Sequence, residues 1–180
     1  MFTLRKLTLA LALTGLLSTP VLAETTVLAS LPITFGLSEL LLKDSGVKLQ
    51  RAAPANLPGS RQSAYFSGRG APALHTLATE ADAVIGLRSL WSDDPLYPMA
   101  RRSNIRIVEI DAARPVDGSL PGIAVQPGAH GDGLNSQPWL TSNNMGRMAD
   151  VIAADLVRLA PEAKPRIEAN LASLKQRLLK

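Results

Sequence analysis

Short apolar runs alternating with helix-like segments constrain this chain more than any other feature. Residues 26–31 read as a buried strand ended by Pro32. Val47, Lys48, Leu49 and Gln50 alternate apolar and polar, the period of a strand. Ala83, Val84 and Ile85 form an all-apolar strand closed by Gly86, and residues 105–110 form a fourth. Between them, Leu37, Leu40, Leu41 and Leu42 fit a helix that stops near Gly46. Pro72 can open a helix through Glu80, since proline is tolerated in a first turn. Another helix covers residues 96–102, and residues 53–70, with two prolines and three glycines, read as loop. Strands separated by helices are joined by right-handed crossovers. The expected class is therefore α/β: an open, mostly parallel four-stranded sheet with helices on both faces.

Residues 111–137 carry three prolines and five glycines and read as a linker. Two helices follow it. The first, over residues 143–159, gathers Met145, Met148, Val151, Ile152, Leu156 and Leu159 on one broad face. Pro161 separates it from the second, where Ile167, Leu171, Leu174 and Leu178 recur at spacings of four, three and four. That amphipathic stripe either packs against the sheet or forms a seam with a partner helix. Residues 24–142 are thus expected as an α/β lobe and residues 143–180 as a C-terminal helix pair.

The start of the chain stands apart. Arg5 and Lys6 precede an apolar run from Leu7 to Leu17, and Val21, Leu22 and Ala23 supply a peptidase site. The pattern is a signal peptide over residues 1–23, cleaved after Ala23, which predicts a periplasmic protein. The run is shorter than the roughly 20 residues a spanning helix needs. Two of the 19 basic residues lie within residues 1–23, leaving 17 against 15 acidic. Without that segment the chain is nearly neutral.

Composition removes several classes of function. Aromatic residues are 4% of the chain, too few for the stacking platforms of a single-strand nucleic-acid binder. The absence of cysteine excludes disulfide scaffolds, thiolate metal sites and cysteine nucleophiles. No G-x-S-x-G, H-E-x-x-H or P-loop pattern occurs, and His75 and His130 are the only imidazoles, so a non-catalytic protein is expected. The stretch from Gly68 to Ala73 matches G-x-G-x-x-A, but it follows a loop instead of a strand and no acidic residue ends the next strand, so it is no dinucleotide fingerprint.

Open parallel sheets bind ligands beyond the carboxyl ends of their strands. The polar residues expected there are Arg61, Ser63, Tyr65, Arg69, Arg88, Asp93, Asp94, His130, Asp132 and Gln137. His130 and Asp132, two apart in a glycine loop, are good zinc or manganese donors, although a closed zinc site takes about four ligands. Arg61, Arg69 and Arg88 suit an anion, because guanidinium groups fork carboxylates and phosphates.

Five stretches in order resemble the zinc/manganese-type periplasmic substrate-binding proteins of metal ABC transporters. VLASLPI at 27–33 is similar to that family's opening strand, and LPGSRQSAY at 57–65 stands where the family has P-G-x-D-P-H-x-Y. LATEADAVIG at 77–86 resembles L-x-x-A-D-x-x-x-x-G, and NSQPWLTSNN at 135–144 resembles D-P-H-x-W-L-D-P-x-N. Residues 148–162, with Asn170 and Leu171, follow the family's next helix and the start of its long connecting helix. The resemblance implies a binding-protein lobe, with Ser63, Tyr65, Gln137 and Trp139 at ligand-binding positions.

The departures carry as much information. The family's two histidine ligands in this half fall on Ser63 and Gln137, whose neutral oxygens are weak zinc donors. The aspartates before them have become Arg61 and Asn135, and an arginine repels a cation. Residues 67–70 read as an insertion. Lys180 stands near where the connecting helix would enter a second lobe, so a single lobe is expected. The resemblance implies an accessory or degenerate substrate-binding protein that binds zinc or manganese weakly, through His130 and Asp132. Its partners would be the inner-membrane ABC permease and a second binding protein or a homodimer, with no nucleic acid. The alternatives are an anionic ligand or metal chelate held by Arg61, Arg69 and Arg88, or a docking-only role on the transporter.

Overall fold

The computed structural model describes residues 23–116, 118, 120–123 and 141–180. Its strands are β1 (Thr26–Ala29), β2 (Lys48–Arg51), β3 (Ala83–Gly86) and β4 (Val108–Asp111). Its helices are α1 (Pro32–Leu42), α2 (Gly59–Ser67), α3 (Ala71–Glu80), α4 (Leu96–Arg101), α5 (Ser142–Leu159) and α6 (Lys164–Leu178), with a 3-10 turn at Pro161–Ala163. The strands form one sheet in the order β2-β1-β3-β4, every neighbouring pair parallel. Register is set opposite β1, where Val27 pairs with both Leu49 and Ala83.

The period of two along the strands sorts the core into two halves. Val27, Ala29, Ala83, Ile85 and Ile110 point to one face, where they meet Leu37 and Leu41 of α1, Ile152 and Leu156 of α5, and Ile167 and Leu174 of α6. Leu28 and Val84 point to the other face and meet Phe66 of α2, Leu74 and Ala78 of α3, and Leu96 and Ala100 of α4. Helices on both sides leave β1 wholly buried, as a mainly apolar inner strand requires. The expected fold class is the observed one.

The stripe on α6 packs inward. Ile167 and Leu174 are buried, Leu171 and Leu178 are partly buried, and all four lie in the core that α1 and α5 share with the sheet. The C-terminal helices therefore complete one face of the α/β lobe. Asn170 adds a polar tie, its Nδ2 donating to the Leu41 and Lys43 carbonyls at 2.8 Å each. These are terminal carbonyls of α1 that no intrahelical donor reaches. At the start of α5, Thr141 Oγ1 caps the helix by accepting from the Asn144 N–H.

Two expected boundaries are corrected. The stretch 53–70 is not all loop, because α2 occupies Gly59–Ser67. Gln62 and Phe66, one helical turn apart, face the core together and are 0% and 1% exposed. Burial of Phe66, worth roughly 1.5–3 kcal/mol, outweighs the weak helix propensity of the small and polar residues around it. The fourth strand is also shorter than residues 105–110, beginning only at Val108. Asn104 holds the preceding residues in a turn: its Nδ2 donates to the Ala78 and Ala81 carbonyls, and its Oδ1 accepts from the Arg106 N–H. Ile105 is left 79% exposed.

Among the described residues, no helix is long and apolar enough to cross a membrane. The expected signal peptide lies almost wholly outside the described residues.

Candidate functional site

The chain leaves β1 through α1 on one face of the sheet and leaves β3 through α4 on the other. Adjacent strands whose crossovers diverge form a crevice at their carboxyl ends, the position where open α/β sheets take ligands. Ser30, Leu31, Leu87 and Arg88 lie on its two sides, and the first turn of α2 comes over it. At Gly59 the backbone approaches so closely that a side-chain carbon would stand 3.1 Å from Leu31 and 3.4 Å from the Trp91 ring.

Gln62 anchors α2 to this edge. Its Nε2 donates to the Ser30 carbonyl at 3.0 Å. Gln62 Oε1 and Ser30 Oγ are both buried and have no hydrogen-bond partner among the described residues. Neither residue stood out in the sequence, because a lone glutamine in a Gly- and Pro-rich stretch gives no burial signal until that stretch is known to be helical. The four-residue spacing to Phe66 was the one available sign.

Three carboxylates at this edge are occupied by protein donors. Asp94, only 3% exposed, accepts from the Leu87 N–H at 2.7 Å and the Leu96 N–H at 3.2 Å. Burial pushes its pKa up, opposed by those two backbone hydrogen bonds. Asp111 accepts from the Ser89 N–H and hydroxyl, both at 2.8 Å, and from the Ala113 N–H at 3.0 Å. Glu109 takes Arg88 as a two-pronged pair, Nε and Nη2 each at 2.8 Å. That pairing is the main cause of the upward shift of the Arg88 pKa. Arg88 also lies 5.2 Å from the centre of the Tyr97 ring.

The remaining expected residues do not gather in one place. Arg61 and Ser63 are exposed on α2. Tyr65 is half-buried, its ring against Phe66 and over Gly70, and Arg69 lies 5.8 Å from the ring's centre. The three arginines therefore have separate surroundings, and Arg88 is already engaged by a carboxylate. Asp93 is exposed beside buried Asp94. His130, Asp132, Gln137 and Trp139 lie outside the described residues. Among the described residues, no group of three or more His, Asp or Glu side chains is placed to hold a metal ion. Asp94, Asp111 and Glu109 are thus spent on N–H groups, a hydroxyl and a guanidinium, which leaves no cluster of three donors for a bare divalent cation among the described residues.

No protein-family model matches the sequence, and neither does any curated protein sequence. Solved structures do match. ZnuA superposes with a TM-score of 0.61 at 23% identity, over 86% of this chain and 56% of its own. The substrate-binding protein FpvC from P. aeruginosa, in complex with Ni2+, gives 0.62 at 19% identity, over 86% and 51%. The Zn(II)-bound ZnuA-like domain of Streptococcus pneumoniae AdcA gives 0.61 at 14% identity, over 87% and 52%. The chain spans about half the length of these proteins. At such identities the likeness is one of fold, and the fold is that of a single lobe of a periplasmic metal-binding protein.

Proposed function

We propose that this chain is an exported, non-catalytic accessory of metal transport, a degenerate substrate-binding lobe serving a zinc/manganese-type ABC transporter from the periplasm. One observation carries the reading: the lobe keeps the architecture of metal-binding proteins, while three carboxylates at its crevice are bonded internally. Glu109 goes to Arg88, Asp111 to Ser89 and Ala113, and Asp94 to Leu87 and Leu96. In this reading weak handling of metal cargo falls to His130 and Asp132, and ligand contacts to Ser63, Tyr65, Gln137 and Trp139. The partners in this reading are the ABC permease, a second binding protein or another copy of the chain. Capture of an anionic ligand or metal chelate would fall to Arg61 and Arg69, since Arg88 is committed to Glu109.

The test uses the chain without residues 1–23 and the zinc/manganese ABC transporter of its own host, reconstituted in nanodiscs. The expected result is saturable binding to the permease, with a change in ATP hydrolysis when the chain is added in the presence of zinc or manganese. Absence of binding and an unchanged ATPase rate with either metal would overturn the reading.

A further inference from the structure

A cavity of about 250 Å³ opens between α2, α3 and α4, in the helix layer over the second half of the core. It shares no residue with the crevice and its carboxylates. Phe66, Leu74 and Met99 supply its apolar wall, and His75, Arg102 and Ser103 its polar side. None of the residues that line it is acidic. Arg102 is exposed, and its guanidinium has no hydrogen-bond or ion-pair partner among the described residues. His75 Nδ1 lies 2.8 Å from Ser103 Oγ.

We propose that this cavity binds a small organic carboxylate. Arg102 provides the fork that matches a carboxylate's two oxygens. The pair of His75 and Ser103 supplies a further donor in either tautomer of the imidazole. If the serine hydroxyl donates to Nδ1, the ring's Nε2–H is left free; if Nδ1–H donates to the serine, the hydroxyl proton is left free. Both arrangements present a hydrogen to an anion, and among the described residues that line the cavity no carboxylate competes for it. The volume lies just below the range of roughly 300–1,000 Å³ usual for drug-sized ligands, so the occupant is small. Half-buried Met99, an adaptable thioether, receives its apolar part.

Benzoate is the probe, titrated into the folded chain while the His75 ring resonances are followed by NMR. Saturable shifts are expected, with affinity falling about tenfold or more in Arg102→Ala and less in Arg102→Lys. Ser103→Ala serves as a second variant that frees the imidazole, and thermal unfolding verifies that each variant is folded. Arg166→Ala, on α6 at the other face of the sheet, should leave benzoate binding unchanged. The proposal is overturned by an absence of saturation, by unchanged affinity in Arg102→Ala, or by tighter binding of inorganic phosphate than of benzoate.

Discussion

Gly86 and Asp94 compete for the same space: a side-chain carbon on Gly86 would stand 2.6 Å from Asp94 Oδ2. The absent Cβ lets the carboxylate reach the Leu87 N–H, which ties the loop after β3 to the end of the strand. Gly86→Ala should therefore displace the carboxylate and cost about 1–3 kcal/mol, the penalty for a buried N–H left without its acceptor. In an Asp94→Ala background the same change should cost distinctly less, because the obstructing oxygen has gone. Urea unfolding of the two single variants and the double variant measures that coupling, and strict additivity would refute it.

Asp94 should also leave a signature in pH dependence. Burial raises its folded-state pKa above the ordinary carboxylate value near ~4, so in the window above that value the native state holds a proton that the unfolded chain has lost. Its contribution to stability is fully present below the unfolded pKa and declines as pH rises through the folded pKa. Unfolding midpoints of the natural protein and Asp94→Ala, compared from pH 3 to pH 7, should converge as pH rises through this window. A difference that widens with pH would contradict the assignment.

Gln62, the buried residue in the first turn of α2, separates shape from charge. Gln62→Met keeps the volume and removes both the bond to Ser30 and the unpartnered Oε1, so a loss of only about 1 kcal/mol is expected. Gln62→Glu places a carboxylate against the Ser30 carbonyl in a buried position and should cost roughly 3 kcal/mol or more. Chemical denaturation near neutral pH distinguishes them, and equal losses would show that the polar contact matters little.

Asn170 fastens α6 to α1 through two carbonyls far away in sequence. Asn170→Ala should destabilise by about 1–2 kcal/mol, since both bonds go at once at a partly exposed site. Native-state hydrogen exchange should show faster opening of α6, while the β1 amides exchange at rates set by global unfolding. Unchanged α6 protection would remove Asn170 from the account of how the helix docks.

Metal addition tests whether the chain retains a site for zinc or manganese. At about a hundred times its dissociation constant, a bound metal adds roughly 2.7 kcal/mol, several degrees of thermal midpoint for a chain of this size. A shift with excess zinc or manganese that His130→Ala abolishes is the expected outcome. A shift that survives this substitution would place the metal elsewhere.

What the sequence determined by itself was the class of fold. Four short strand-like runs alternating with helical segments specify a parallel sheet covered on both faces, because the apolar inner strands bury both sides and the crossovers have one hand. The leucine spacing on α6 likewise announced an inward face, since a period of 3.6 maps a stripe onto one side of a helix. Tertiary structure alone decided that residues 59–67 are helical, because their propensity is weak and the burial of Phe66 and Gln62 depends on a surface built by distant strands. It decided the electrostatics of the crevice in the same way. Arg88 and Glu109 become partners only when β3 and β4 lie side by side, and Asp94 reaches the Leu87 N–H only when the loop after β3 folds back on the strand end. A sequence shows which residues carry charge, whereas folding sets the few ångströms that decide whether that charge meets a ligand or is neutralised within the protein.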